Sequence, residues 1–202
     1  MKALLACVMM LMVSGCSWLG YASDALGGGT TRDAVFKLRP QPTVVVVENW
    51  RNPGGAELDA ERLAHDVYLN LRDHHVADQI DPSAVIDLRQ RRSDFRTLSV
   101  AQIGKLAGAR QVVYVNLTDT SMTGAMGDNS VTARATARVK VIDAESGEMI
   151  FPSDSMEGYP VSISTPMTVA RDSGEESDLR EKLIEAAANR IGALFYKTTE
   201  PD

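Results

Sequence analysis

Hydrophobic and polar residues alternate most regularly in segment 131–143, which reads VTARATARVKVID. Valine and alanine occupy the odd positions as far as Val141, and threonine, arginine and lysine lie between them. Side chains of a β-strand alternate between its two faces, so this pattern predicts a strand with one buried and one wet face. Such a strand is typical of an antiparallel pair.

Two other segments are β-branched runs without alternation: TVVVVENW at 43–50 and QVVYVNLTD at 111–119. Continuous apolar runs of this length predict strands that are covered on both faces. The sequence ESGE at 145–148 predicts a turn into a further short strand near 149–151.

Apolar residues at three- and four-residue steps predict a helix over 57–73. Asp81-Pro82 predicts the start of a second helix, which runs to about residue 91, because Asp caps and Pro suits the first helical position. In LSVAQI, Ser99 and Gln102 have the spacing of a capping box, and Gly108 supplies a left-handed end to that helix.

A long terminal helix is predicted from an apolar stripe that includes Leu183, Ile191 and Phe195, with Ser177 as its cap. The element order is strand, helices, three strands and a helix. It predicts an α/β (mixed α+β) domain over 43–198, followed by a tail at 199–202. We expect a mixed β-sheet of about four to five strands with a helical crossover, and a long C-terminal helix packed on the sheet.

The amino terminus has a different pattern, because Lys2 is followed by eleven residues, 3–13, without a charge. This run is too short to cross a bilayer, which takes about 20 residues, and it has the form of a secretory signal. Val13-Ser14-Gly15-Cys16 resembles the lipobox of bacterial lipoproteins. That resemblance implies cleavage of a signal peptide 1–15 and a diacylglycerol on the sulfur of Cys16. An ordinary signal with a chance cysteine is the alternative.

Residues 16–42 would then be the lipidated cysteine and a flexible tether, since GGGTT and RPQP suit no regular element. The second cysteine, Cys7, would leave with the leader, so the mature domain would have no disulfide. Ser17 is not the aspartate that favours inner-membrane retention in enterobacterial lipoproteins. By that resemblance we expect an outer-membrane protein on the periplasmic face.

The net charge and the motifs of the chain indicate which kinds of binding and catalysis are not expected of it. The net charge of −6 becomes −7 without Lys2, which argues against nucleic-acid binding. His74 and His75 point apart and no further ligands complete a metal shell. No nucleophile elbow or phosphate loop occurs, so we predict no catalytic residue, no metal, no cofactor and no small-molecule substrate. The basic cluster RQRR at 89–92, with Arg96, either meets an acidic partner or phosphate headgroups, or is a solvated helix end.

The segments VAQIGKLAGARQVVYVNL and VKVIDAESGEMI resemble a group of bacterial envelope domains. These are the TolB amino-terminal domain, the curli-secretion lipoprotein, and lipoprotein activators of penicillin-binding proteins. Leu106-Ala107-Gly108-Ala109 matches their helix end, and Ile142-Asp143 with Gly147-Glu148 matches a later turn. The likeness covers 43–152 and concerns residues that shape turns and caps, so it implies structure more than activity.

Two long polar segments, 120–130 and 152–176, are either partner-binding loops or mobile connections. The candidate contact residues in them are Met122, Gly124, Met126, Asp128, Asn129 and Tyr159. The sequence therefore predicts a non-enzymatic envelope protein that is anchored to the membrane through Cys16 and binds another periplasmic or outer-membrane protein. The alternatives are an oligomeric secretion-channel component like the curli lipoprotein, and a hydrolase with an unrecognised site.

Overall fold

The computed structural model describes residues 30–49, 57–124, 130–166, 168–169 and 173–200. Residues 34–196 form one compact unit, and a second contains the described residues 30–33 and 197–200. In chain order, the elements are β1 (Thr30–Arg32), β2 (Pro42–Asn49), α1 (Glu57–Asp73), β3 (Asp78–Ile80), α2 (Ser83–Arg91), a 3-10 turn (Phe95–Thr97), α3 (Val100–Leu106), β4 (Gln111–Gly124), β5 (Ser130–Asp143), β6 (Met149–Phe151), β7 (Tyr159–Ser164), β8 (Thr168–Val169), α4 (Ser173–Gly192) and β9 (Thr198–Glu200).

The smaller unit contains an antiparallel pair, β1 with β9. β1 lies within the predicted tether 16–42, where no regular element was expected, and β9 overlaps the predicted tail 199–202. The larger unit contains, within the described residues, a mixed seven-stranded sheet. Its order is β3–β2–β4–β5, and β6, β7 and β8 follow one another along the far edge of β5. β2 is parallel to both β3 and β4, and the other pairs are antiparallel. The predicted fold class is confirmed, but the sheet has seven described strands instead of the four to five predicted, because the short strands β3, β7 and β8 were not predicted.

Helices α1 and α4 cover one face of the sheet, which we call the inner face. Leu71 and Ile191 from these helices are fully buried against valines and alanines of β2, β4 and β5. The alternation predicted for β5 is confirmed, since Ala133, Ala137 and Val141 are all buried in this core. Aliphatic side chains removed from water on this scale supply the main stabilisation of the unit.

Helices α2 and α3 cover part of the opposite, outer face. Their core contains Val85 and Ile103, packed with Val44, Val112 and Tyr114 of the sheet. The predicted capping box of α3 is confirmed: the N–H of Gln102 donates to Oγ of Ser99 at 3.3 Å, and the N–H of Ser99 donates to Oε1 of Gln102 at 2.8 Å. Gly108 has φ +85°, as the predicted helix end requires.

The predicted loop 120–130 is wrong at both ends. β4 continues to Gly124 and β5 begins at Ser130, so strand pairing occupies most of that segment. The register shifts between Leu117 and Asp119, which marks a β-bulge. A bulge shifts the alternation beyond it, so residues 120–124 do not continue the alternation of 111–117.

The prediction of a loop over 152–176 is also wrong. β7 lies within it, and its residues Val161 and Ile163 are buried in the inner-face core. α4 begins at Ser173, so Ser177 lies inside the helix and is not its cap. At the other end of the unit, Phe36 and Leu38 pack against the inner-face core, and the N–H of Phe36 donates to the carbonyl of Leu194 at 3.0 Å. The compact unit thus includes residues 34–42, which the sequence assigned to the tether.

Candidate functional site

The candidate contact residues do not form one cluster in the described structure. Cys16, Met126, Asp128 and Asn129 lie outside the described residues. Met122 and Gly124 belong to β4, opposite Ala133 and Val131 of β5. Tyr159 begins β7 opposite Val139, and its half-buried ring stacks on Phe151 with centroids 5.5 Å apart. Ala133 and Val139 are six residue steps apart along β5, which is about 20 Å. Tyr159 and Met122 therefore occupy different parts of the sheet.

A larger polar surface lies on the outer face, beyond the area that α2 and α3 cover. Cross-strand partners share a face, so the strand register assigns its members directly. None of them belongs to the outer-face core, and Asp119, Arg134, Ser162 and Ser164 are exposed. We call this surface the open face; its described members are Asn116, Thr118, Asp119, Ser121, Thr132, Arg134, Thr136, Arg138, Ser162 and Ser164.

The bulge in β4 is part of the open face. Oγ1 of Thr118 lies 2.9 Å from Oγ1 of Thr136 and 3.2 Å from the carbonyl oxygen of Thr136. Beyond the bulge, Asp119 lies opposite Thr136 and Ser121 lies opposite Arg134. The extra residue therefore keeps polar positions of β4 on the same face as the polar positions of β5.

A row of polar residues marks the boundary between the open face and the helix-covered area. Glu48, Asn116 and Arg138 are cross-strand neighbours on β2, β4 and β5. The hydroxyl of Tyr114 donates to Oε2 of Glu48 at 2.7 Å. Oδ1 of Asn116 is buried without a hydrogen-bond partner among the described residues. This row lies toward the carboxyl end of β2, where open α/β sheets bind ligands.

Charges on the open face are few and of both signs. Nη2 of Arg138 is 3.4 Å from Oε2 of Glu157, and Nη1 of Arg138 donates to the carbonyl of Gly158 at 3.4 Å. Arg134 is exposed between Ser121 and Ser164 on the neighbouring strands. The surface is thus hydroxyl-rich with separate charged positions, and can exchange hydrogen bonds with a polar partner.

Sequence reasoning assigned the polar positions of β5 to one face but missed the contributions of β4 and β7. A usable signal existed in Val161, Ser162, Ile163 and Ser164, which alternate as a strand does. Pro160 lies in this segment, but proline is tolerated at a sheet edge, and β7 lies at the edge. No local sequence pattern indicates that helices cover part of the outer face.

Groups with shifted pKa values lie in turns and between helices. The pKa of Asp143 is lowered mainly by the backbone N–H of Ser146, which donates to its carboxylate at 3.0 Å. The pKa of Asp81 is lowered mainly by the backbone N–H of Ser83, at 2.8 Å. Burial raises the pKa of Tyr196, against a smaller opposing effect from Asn70. In each case the shift has a local structural cause.

The contacts of the adjacent residues His74 and His75 are those of a helix end. The ring of His74 stacks on Tyr196 with centroids 3.7 Å apart, and Nδ1 of His74 lies 2.8 Å from the carbonyl oxygen of Asn70. His75 has a left-handed backbone with φ +54°. In the part of the chain that the structure describes, no three His, Cys, Asp or Glu residues lie together as a metal site would require.

Three arginines of the basic cluster RQRR are paired with acids. Arg89 contacts Glu61 at 3.3 Å. Arg91 pairs with Asp87, and Arg92 pairs with Asp94 at 2.8 Å. Such exposed pairs contribute little stability, but they neutralise the cluster. The structure therefore favours the solvated helix end over a basic docking patch.

No protein-family model and no curated protein matches the chain. Among solved structures, lipoprotein GNA1162 from Neisseria meningitidis matches with 14% identity and a TM-score of 0.47, over 74% of this chain and 99% of that one. The PelC dodecamer from Paraburkholderia phytofirmans matches with 16% identity and a TM-score of 0.40, over 83% and 99%. Hypothetical protein CT253 from Chlamydia trachomatis matches with 11% identity and a TM-score of 0.42, over 77% and 99%.

With TM-scores of 0.40–0.47, these likenesses carry no functional assignment to this chain. None of the three is named as a TolB, curli-secretion or penicillin-binding-protein activator protein, so that finer resemblance stays a prediction. Among the described residues, no helix is both long and apolar enough to span a membrane.

Proposed function

We propose that the protein is a lipid-anchored envelope protein whose domain is a non-enzymatic binding module for another protein, in the assembly or regulation of an envelope machine. The observation that carries the proposal is Val13-Ser14-Gly15-Cys16 directly after an uncharged run of eleven residues. A diacylglycerol on that sulfur, with a further acyl chain on the freed amine, gives durable membrane attachment. Ser17 supports the outer membrane as the destination and the periplasmic face as the site of action.

The open face supports the binding role. The outer sheet surface carries hydroxyl, amide and guanidinium groups beyond the area that α2 and α3 cover. Enzymes gather titratable groups with perturbed pKa values in one cleft. Here the pKa values of Asp81 and Asp143 are lowered mainly by backbone N–H donors in turns, and the pKa of Asp94 is lowered mainly by the guanidinium of Arg92. A hydroxyl-rich surface with separate charged positions suits recognition of a protein better than bond chemistry.

A photo-crosslinking experiment in living cells tests this role. The full-length chain would carry benzoyl-phenylalanine at position 134 or 162, both exposed on the open face, or at position 185, which is exposed on α4. We expect covalent adducts with one envelope protein from positions 134 and 162, at least about tenfold above those from 185, because only the open face contacts the partner.

Equal labelling from all three positions, or no adduct from 134 and 162, would remove the open face as the binding surface. Adducts that contain only copies of this chain would instead favour the oligomeric secretion-channel alternative. Each variant needs a normal cellular level, which controls for folding.

A further inference from the structure

The two arginines of the open face differ in the contacts that they make. Arg138 is half-buried, and its guanidinium is 3.4 Å from a carboxylate oxygen of Glu157 and donates to the carbonyl oxygen of Gly158. Arg134, on the same strand, is exposed and has neither an ion pair nor a side-chain hydrogen bond within the described structure. The open face therefore presents one guanidinium that is paired and one that is not.

The cross-strand neighbours of Arg134 are neutral. Ser121 of β4 and Ser164 of β7 lie directly opposite it on the two adjacent strands. Cross-strand partners point to the same face, and Ser164 is exposed beside Arg134. A serine hydroxyl donates hydrogen bonds to the same acceptors that a guanidinium binds. The guanidinium thus lies among groups that favour an oxygen acceptor.

Asp119 is the acidic residue among the described members of the open face. It lies opposite Thr136, which is two residues along β5 from Arg134, so the two charged residues are diagonal neighbours about 7–8 Å apart. No ion pair joins them in the described part of the chain. Because the negative charge of Asp119 lies on the β4 side, the potential around Arg134 is more positive on the β7 side, next to Ser164.

We propose that the partner protein places an acidic side chain on Arg134, on the side of Ser164. This inference rests on the proposed function, in which the open face is the binding surface. A partner that covers Arg134 removes its guanidinium from water, and a covered charge without a counter-charge is strongly destabilising. A carboxylate accepts charge-assisted hydrogen bonds from the guanidinium, and the hydroxyl of Ser164 can donate to the same carboxylate.

Charge exchange at position 134, measured with benzoyl-phenylalanine at position 162 in living cells, tests the inference. Arg134→Gln should lower the yield of the adduct at least about fivefold, because the partner's carboxylate loses its counter-charge. Arg134→Glu should lower it further, since two carboxylates then face each other. Arg190→Glu is the matched control, because Arg190 is also exposed but lies on α4, and it should leave the yield unchanged. A probe at position 134 itself replaces the guanidinium, so its adducts should be fewer than those from position 162.

A carbodiimide supplies a readout that does not rely on weaker binding. In isolated membranes it activates a carboxylate, and a lysine amine in contact with that group displaces the activating group as a urea and forms an amide. Arg134→Lys keeps the positive charge and should therefore become linked to an aspartate or glutamate of the partner, which mass spectrometry of the joined peptides identifies. Arg190→Lys makes the same exchange on α4 and should give no such link.

The outcomes separate this inference from the proposed function. If position 162 gives no adduct while Arg134 is intact, the proposed function is lost together with the inference. If the adduct forms and is equally abundant in Arg134→Glu, only the inference is overturned. The same holds if Arg134→Lys gives the photo-adduct but no amide link. An adduct of lipid mass from position 162 would also overturn the inference, and would point to headgroup phosphates on Arg134.

Discussion

Replacing Cys16 by serine should abolish the incorporation of labelled palmitate into the protein in cells. Under the proposed function, acyl chains are joined to the sulfur and the amine of this residue alone. Each buried CH₂ contributes about 0.8 kcal/mol to membrane binding, and a single chain binds only marginally. The expected change is therefore from full labelling to none, measured on immunoprecipitated protein.

Cys7 provides the matched control for that experiment. It is the other cysteine of the chain and lies within the apolar run 3–13. Cys7→Ser should incorporate palmitate as the wild type does, because the leader is removed before the mature protein is formed. Labelling that survives in Cys16→Ser, or is lost in Cys7→Ser, would contradict attachment at Cys16.

Replacing Leu71 by alanine should lower the free energy of unfolding by about 2–5 kcal/mol. Leu71 lies in the last turns of α1, has no exposed surface, and belongs to the inner-face core with Val67 and Ile191. Truncation removes apolar contacts and leaves a cavity that a closely packed helix–sheet interface fills only in part. Urea denaturation followed by circular dichroism measures the loss.

Leu106→Ala is the same substitution at an exposed position. Leu106 ends α3 and retains 45% of its surface in water, so its removal should cost less than about 1 kcal/mol. Equal losses for the two variants would contradict the description of the inner face as the main core. A smaller loss for Leu71→Ala than for Leu106→Ala would contradict it outright.

The sequence predicts those parts of the fold that have a local cause. Ser99 and Gln102 are three residues apart and cap the same helix, and β5 alternates without interruption from Val131 to Val141. These signals act within a few residues, so no knowledge of the rest of the chain is needed to interpret them. The mixed sheet follows from their order.

The predictions from sequence were wrong where contacts between residues far apart in the chain determine the structure. The bulge at Thr118 shifts the face of every later residue of β4, so residues 120–124 do not continue the alternation of 111–117. β7 exists because β5 offers it an edge, which overrides the proline at position 160. β3 has only three residues, too few for periodicity. Pairing with neighbouring strands, and not a local sequence pattern, determines these parts of the sheet.

The open face could be predicted in part. Arg134, Thr136 and Arg138 were assigned to a wet face of β5 from alternation alone. Their neighbours Asn116, Asp119 and Ser162 come from strands that are distant in sequence, and the strand register determines which of them meet. Among the described elements, the short helix α3, which ends at Leu106, does not extend over these polar residues.

Mass spectrometry of the amino-terminal peptide from native membranes tests the central claim most directly. The account predicts a peptide that begins at Cys16 and carries the added mass of a diacylglycerol on its sulfur. A peptide in which Cys16 is unmodified, or is still preceded by residues 1–15, would contradict the account.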